Sequence, residues 1–450
     1  MITELLDVPL PVRPAAWPRL LPRPAQWRTP AELEAGRRAR LRNVVDHASR
    51  TVYYGDLFRK AGISDPRRVE PADLARLPLL DRQTMAGHGL DAFLTVDRAG
   101  LVAVQTSGST GTPARFYRSW QEEAVYSMRW MRVYEAYGCR PWDAQVNVAI
   151  ADKPDRKGPI RFLRRTGLLP RVVKLASDTP PAEVLARVQE LEPPILTGYA
   201  GAIESLAEHV LATGAHLHPP RAVFCTAMDV TERCLDLAAR AFDAPAVDVY
   251  VTNEFGVIAW ACPDRPDLLH LNDDALIVEV LDEAGRPVPD GAVGELVITS
   301  LDLTSMPLVR YRMGDMAARV PGRCECGRGL ALMSRVQGRT SHAIRRGNGA
   351  PITTPLVTSL FGRVDAHDWV RRYQVREEPG RTLRFLIVAR HAPTPSQLAN
   401  LTRSVELGIG TDFRTELEFV EEIPAAPSGK LQYVVPLPPG RQQEDTRMVS

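Results

Sequence analysis

Apolar residues recur along this chain at two spacings, and the spacing in use changes with position. Between residues 31 and 49, Leu33, Leu41, Val44 and Val45 fall at helical intervals, while Arg37, Arg38 and Arg40 take the opposite side. That pattern predicts a helix with one wet face. The same periodicity predicts helices over 180–192 and 202–213, and short apolar runs beside them, Pro194–Thr197 and Ala222–Phe224, read as strands. Helices alternating with strands predict the α/β class. From Leu276 onward strands dominate, at 277–281 and 295–299. After Gly338 the remaining segment, about 110 residues, is long enough for a separate small α+β lid domain. The first 30 residues are Pro-rich with Trp17 and Trp27, which predicts an extended arm packed on the body. The expected organisation is an arm over 1–30, a large domain over 31–337 and a lid over 338–450.

Several predicted strands end in residues that carry chemistry. Leu101–Gln105 runs into Thr106, Ser107, Gly108, Ser109, Thr110 and Gly111. Hydroxyls interleaved with glycines let N–H and O–H groups converge on phosphate oxygens. The segment is not a Walker loop, because no lysine follows Gly111. The strand Val247–Val251 carries Tyr250, suited to stacking on a purine or a sugar, and leads to Glu254, a hard oxygen donor suited to Mg²⁺ beside a phosphate. Asp315 follows Gly314, and an acid after a tight Gly turn can accept hydrogen bonds from both ribose hydroxyls.

Lysine is scarce here: of the 56 basic residues only Lys60, Lys153, Lys157, Lys174 and Lys430 are lysines. Lys430 lies in a Pro/Ser/Gly turn, which marks a place where a compact ammonium serves and a planar guanidinium does not. The six cysteines fall into two groups. Cys262, Cys324 and Cys326 sit with His270 in Pro- and Gly-rich loops, and three thiolates with one imidazole close a tetrahedral Zn²⁺ shell. Zinc held that way, with no open position, would be structural. Cys139, Cys225 and Cys234 read as small buried hydrophobes. The start of the chain lacks a basic, apolar leader pattern, so the thiols predict a reducing, cytoplasmic setting rather than a disulfide framework.

Charge and composition narrow the function classes. A formal net charge of +2 provides no field for nucleic acid or an anionic membrane, and no apolar run reaches the ~20 residues of a spanning helix. With 44% hydrophobic and 24% charged residues the chain has ordinary globular usage. The expected partners are small molecules.

Taken in order, the hydroxyl/glycine loop, Tyr250-Val251-Thr252-Asn253-Glu254, Tyr311-Arg312-Met313-Gly314-Asp315, Gly338-Arg339 and Pro427-Ser428-Gly429-Lys430 resemble the core motifs of the acyl-adenylate-forming superfamily. The wording Glu254–Pro263 and Met306–Asp315 is most similar to its phenylacetate-CoA ligase branch, and the resemblance spans about residues 35 to 437. It implies a large, multi-subdomain N-terminal adenylate-forming domain and a small C-terminal lid. It also implies roles. Thr106 to Gly111 would bind the β- and γ-phosphates of ATP, and Glu254 would hold Mg²⁺. Ala227, Met228 and Tyr250 would flank adenine, Asp315 would take the ribose hydroxyls, and Arg339 would lie near the ribose or α-phosphate. Lys430 would contact the substrate carboxylate and the α-phosphate as the acyl-adenylate forms. Some members of the branch carry a zinc site of the kind offered here.

Three motifs depart from the usual pattern: Ser341 and His342 stand where an acidic pair is usual at the hinge, Thr226-Ala227-Met228 replaces the usual adenine motif, and Val251 and Asn253 stand in place of the Gly and Thr of Y-G-x-T-E. The expected activity is ATP-dependent activation of a carboxylic acid to an acyl-adenylate with pyrophosphate release, then transfer to CoA. A carrier-protein thiol or an amine is the alternative acceptor, favoured by the uncharged hinge. The branch favours aryl or aryl-acetic acids, and Tyr199, Ala200, Gly201, Phe224, Phe255 and Ile258 are the expected pocket walls, with core packing an equal alternative for Phe224 and Ile258. After adenylation the lid would turn, bringing the stretch 344–349 to the acceptor. A non-catalytic relic of the fold would have no reason to retain Lys430, Asp315, Glu254 and the hydroxyl loop together.

Overall fold

The computed structural model describes residues 25–105, 115–140, 142–149, 172–226, 230–340, 344–347, 351–362, 364, 366, 369–424 and 432–437. The expected sites at Thr106–Gly111, Ala227, Met228, Ser341, His342 and Lys430 therefore lie outside the described residues. Contacts divide the chain into two compact units, Met1–Met313 with Ala317–Arg335, and Gly314–Met316 with Val336–Ser450. The second unit thus takes in three residues from a strand well before Gly338.

The first predicted helix runs Pro30–Ala48 and is set by its ends. The Thr29 hydroxyl accepts from the Glu32 N–H, the Glu32 carboxylate accepts from the Thr29 N–H at 2.7 Å, and Pro30 occupies the first helical position. This reciprocal cap and the missing proline N–H satisfy donors that a helix start leaves open. Leu41, Val44 and Val45 are fully buried, as their spacing predicts. Just before it, Ala25–Trp27 forms one 3₁₀ turn packed on the body. There Arg328 Nε donates to Gln26 Oε1 at 3.2 Å, and its guanidinium lies over the Trp27 ring.

An 11-stranded sheet dominates the first unit. From one edge its strands run Leu276–Leu281, Val293–Ser300, Tyr311–Val320, Leu332–Ser334, Leu268–Leu271, Gly256–Ala261, Ala246–Thr252, Ala222–Thr226, Ile195–Tyr199, Gln145–Ala149 and Val172–Ala176. The last five of these pair in parallel, in the register Gln145↔Val172, Gln145↔Ile195, Ile195↔Ala222 and Val223↔Ala246. Helices Pro181–Leu191, Ala200–Thr213 and Glu232–Phe242 lie between consecutive parallel strands, as crossover connections require. Val146, Leu196, Val223 and Cys225 pack from the sheet against Ile203, Leu206, Val210 and Phe242 from those helices. Each such side chain contributes roughly 1.5–3 kcal/mol through burial. Beyond Ala246–Thr252 the pairing is antiparallel, and there the hairpins that carry candidate chemistry begin.

The second unit is α+β. Among its described residues, a four-stranded sheet runs in the order Arg414–Phe419, Thr382–Ala389, Val370–Glu378, Val434–Val435, beside a small pair Ile344–Arg345 and Pro351–Ile352 and the helices Thr354–Gly362 and Pro395–Ile409. Ile344, Val357, Leu360, Phe361, Trp369, Phe385 and Leu401 form its core. Among the described residues no helix is long and apolar enough to cross a membrane. Cys139, Cys225 and Cys234 are buried and unbridged, as their apolar surroundings predict.

Candidate functional site

Glu254 sits in the turn joining strands Ala246–Thr252 and Gly256–Ala261. A neighbouring strand, Arg115–Arg118, and the helix Trp120–Ala136 hold that turn by its backbone. Arg118 Nη2 donates to the carbonyls of Asn253 and Glu254, the latter at 3.1 Å. Tyr126 donates its hydroxyl to the Glu254 carbonyl at 3.2 Å, and Arg129 Nη1 donates to the Phe255 carbonyl at 2.7 Å. Three successive carbonyls are therefore satisfied from one side. The Tyr126 ring stacks with both guanidinium groups, 4.0 Å from that of Arg118 and 4.5 Å from that of Arg129. Hydrogen bonds to charged donors are worth about 1.5–3 kcal/mol each, and a desolvated cation over an aromatic face adds about 2. Gly256 is required at the exit: its φ is +69°, and a Cβ there would lie 2.7 Å from Tyr126 Cδ1. The turn is rigid before any ligand arrives.

On that turn the Glu254 side chain is only 5% exposed, and Arg82 Nη2 donates to its Oε1 at 3.0 Å. Oε2 has no protein partner among the described residues. Arg82 Nε donates to the Tyr311 hydroxyl at 3.3 Å. Burial, with the Glu254 charge nearby, pushes the Tyr311 phenol up to about 12, so it stays protonated. One carboxylate with a spare hard oxygen matches the usual demand of Mg²⁺, which takes one or two carboxylates and completes its shell with phosphate and water. The donor set fits, with Arg82 sharing the carboxylate.

In the second unit Asp315 and Arg339 come together. Arg339 Nε donates to Asp315 Oδ1 at 3.0 Å, and the two residues form an isolated antiparallel bridge. Around them Met316 N–H donates to the Gly338 carbonyl at 2.9 Å and Gln337 N–H to the Met316 carbonyl at 2.7 Å. Asp315 does not follow a separate turn: it lies inside the strand Tyr311–Val320, where Gly314, at φ +70°, bends the chain without ending it. Glycine supplies that backbone conformation at low cost, which is why the pattern resembled a turn.

Of the expected pocket residues, Tyr199 and Gly201 keep partial exposure at the start of the helix Ala200–Thr213. Ala200, Phe224, Phe255 and Ile258 are buried. Phe224 is packed in an aromatic cluster with Trp130, Tyr134 and Tyr137, at ring separations of 6.3, 5.3 and 5.8 Å. Tyr250 is buried near the end of its strand. Sequence reasoning missed Arg82, Arg118, Arg129 and the Trp130 cluster. The spacing of Tyr126, Trp130 and Tyr134, each one helical turn apart, was the available signal for that helix face.

A second constellation forms where three strand ends meet. Cys262 follows Gly256–Ala261, His270 lies on Leu268–Leu271, and Cys324 and Cys326 lie in the turn after Tyr311–Val320. Their four ligand atoms lie within 4.8 Å of one another, with Cys262 Sγ to Cys324 Sγ at 3.5 Å and Cys326 Sγ to His270 Nε2 at 3.3 Å. A tetrahedral shell with Zn–S near 2.3 Å puts its sulfurs about 3.8 Å apart, so the set fits zinc. Burial lowers His270 to about 4, which keeps the imidazole neutral, and burial pushes Cys262 up to about 12. At Cys326 burial acts the same way but is outweighed by hydrogen bonds from Arg328, so that thiol is lowered. Roughly 20 Å of extended strand separates Cys262 from the Glu254 turn, so the two constellations are separate.

No protein-family model matches the chain. Over 397 residues it is 22% identical to Protein CapK of Staphylococcus aureus, covering 85% of this chain and 84% of that one. Over 324 residues it is 26% identical to phenylacetate-coenzyme A ligase of Thermus thermophilus, covering 69% and 71%. Among solved structures, 2-hydroxyisobutyryl-CoA ligase in the postadenylation state with 2-HIB-AMP matches with a TM-score of 0.78 at 19% identity, over 98% of this chain and 97% of that one. An amide bond synthetase from Marinactinospora thermotolerans matches with a TM-score of 0.55 at 21% identity, over 78% and 69%. At such identities the solved structures attest to the fold alone. The chain is thus similar in sequence to phenylacetate-CoA ligases and to CapK, and its fold is that of the acid–CoA ligases that activate their substrates as adenylates.

Proposed function

We propose that the protein is an ATP-dependent, AMP-forming acid–CoA ligase. A carboxylate oxygen of the acid attacks the α-phosphorus of ATP, the bond to the bridging oxygen breaks, and pyrophosphate leaves. The CoA thiol then attacks the acyl carbon, and AMP leaves. The observation that carries this reading is the locked turn presenting buried Glu254 with one oxygen spare, since that is the fixed charge a metal–polyphosphate complex needs. Mg²⁺, held at Glu254, would neutralise charge on the polyphosphate. Asp315 accepts from the ribose hydroxyls, Arg339 orients Asp315 and lies near the α-phosphate, and the hydroxyl loop Thr106–Gly111 with Ala227, Met228 and Tyr250 completes nucleotide binding. Lys430 places its ammonium where negative charge develops between carboxylate and α-phosphate.

For the acid, the partly exposed Tyr199 and Trp130 beside the Phe224 cluster support an aryl or aryl-acetic substrate, since a flat ring stacks well on such a wall. For the acceptor, Ser341 in place of a hinge acid favours a second reading, transfer to an amine or a carrier-protein thiol. Pyrophosphate release across a panel of aryl and aliphatic acids tests the first half-reaction. Supplying CoA, an amine or a carrier protein to preformed acyl-adenylate tests the second: a thioester with CoA is expected, and consumption by the others alone would replace it. One structural Zn²⁺ at Cys262, His270, Cys324 and Cys326 completes the proposal. Protein purified without added metal should contain close to one equivalent, and less than about a tenth of an equivalent with no loss of stability on chelation would contradict the site.

A further inference from the structure

Arg82 is anchored more firmly than a counter-ion on a surface helix. Leu80, two residues earlier, bridges in parallel to Tyr311, with Leu80 N–H donating to the Arg310 carbonyl at 2.9 Å and Arg312 N–H to the Leu80 carbonyl at 2.8 Å. Asp81 then caps the following helix, its carboxylate accepting from the Thr84 N–H at 2.7 Å. These contacts fix where the Arg82 side chain starts.

The guanidinium uses only part of its capacity. Nε and Nη2 each serve one protein acceptor, and among the described residues Nη1 has none. A guanidinium has five N–H donors in a planar fork, so three remain available. The side chain is 33% exposed, whereas Glu254 beneath it is 5% exposed. Arg82 is therefore the more accessible partner of the pair, and its unused donors have no protein acceptor among the described residues.

A buried carboxylate needs a counter-charge, and Arg82 supplies one. A divalent cation approaching the same carboxylate puts two cationic groups on one anion. That repulsion is relieved when the guanidinium gains an anion of its own, and the fork geometry matches phosphate oxygens. Resting on the adenylation reading above, we propose that Arg82 is a nucleotide-binding residue that holds the pyrophosphate half of ATP, occupying Glu254 when the site is empty and sharing it with phosphate oxygens when the metal–nucleotide complex enters.

The test separates the two halves of the nucleotide. Equilibrium binding of Mg²⁺-pyrophosphate and of AMP is measured separately for the wild-type full chain, Arg82→Ala and Arg82→Lys, with melting curves confirming that each is folded. Loss of a charged hydrogen-bonding pair predicts about 10- to 100-fold weaker pyrophosphate binding in Arg82→Ala, AMP binding within about twofold of wild type, and partial recovery in Arg82→Lys. Unchanged pyrophosphate binding overturns the proposal. Equal losses of pyrophosphate and AMP also overturn it, because a merely structural arginine would act on both. If Arg82→Ala does not fold, the lysine variant decides alone: weaker pyrophosphate binding with AMP intact supports the role, and wild-type binding of both overturns it. A wild-type protein that binds neither ligand would instead bring down the adenylation reading itself.

Discussion

Glu254 and Asp315 are both buried carboxylates, each paired 3.0 Å from one partly exposed arginine, Arg82 and Arg339. They are held in place by different means. The turn bearing Glu254 is gripped through its carbonyls by Arg118, Tyr126 and Arg129, residues more than a hundred positions away in sequence. Asp315 is held by backbone bonding between its own strand and the Gly338 segment, close in sequence. Under the proposed roles, the clamped Glu254 would hold a metal that must stay fixed, and the main-chain bridge would give Asp315 the direction that accepting ribose hydroxyls needs. Asp248 shows what happens when the arginine is too far. Its partner Arg335 is 3.9 Å away, and burial pushes its carboxyl up to about 7.

The largest effect should come from Glu254→Gln, which keeps the shape and removes the charge. Adenylation measured by pyrophosphate release should fall ~10²- to 10³-fold with the fold intact; a fall under tenfold would end the metal role. Next, Arg129→Met frees the Phe255 carbonyl and, among the described residues, leaves partly buried Asp302 with Arg40 alone as its ion-pair partner, 3.7 Å away. Loss of about 3 kcal/mol of stability is expected in denaturant unfolding, at the low end for breaking a buried pair because Arg40 remains.

Asp248 sharpens the comparison through pH. Its folded-state value, about 7, lies above the ordinary 3.8, so between those values the folded protein binds the extra proton. Stability from this group is present below the unfolded value and is lost as pH rises through 7. Unfolding at pH 5 and pH 8 should show wild type losing on the order of 2 kcal/mol that Asp248→Asn keeps. Equal pH slopes in the two proteins would mean that Asp248 is already ionised. The smallest effect is Asp315→Asn, expected to raise KM for ATP about tenfold with kcat little changed, because an amide still offers one acceptor. A large fall in kcat would show that Asp315 shares the work assigned to Glu254.

This contrast also explains what could be read from the chain. The first long helix, the alternation of helices with strands, and Asp315 as a candidate follow from local patterns: an apolar period and a glycine before an acid, whereas the pairing of Asp315 with Arg339 appears only in the structure. The four zinc-ligand candidates were legible because Cys and His have few other reasons to cluster in polar loops. Arg82, Arg118 and Arg129 were not, because in a chain whose basic residues are nearly all arginine no single one stands out. Their meaning lies in contacts across strands and helices. Phe224, expected on a pocket wall, is buried among Trp130, Tyr134 and Tyr137, since an aromatic residue between two buried strands packs on whichever helix crosses them.

The most direct measurement of the central claim is acid-dependent pyrophosphate release from Mg²⁺-ATP, run side by side on the wild type and Lys430→Ala. The account predicts release by the wild type that requires a carboxylic acid, and a loss of ~10²-fold or more in the variant. No acid-dependent release by the wild type, or near-normal release by Lys430→Ala, would contradict it.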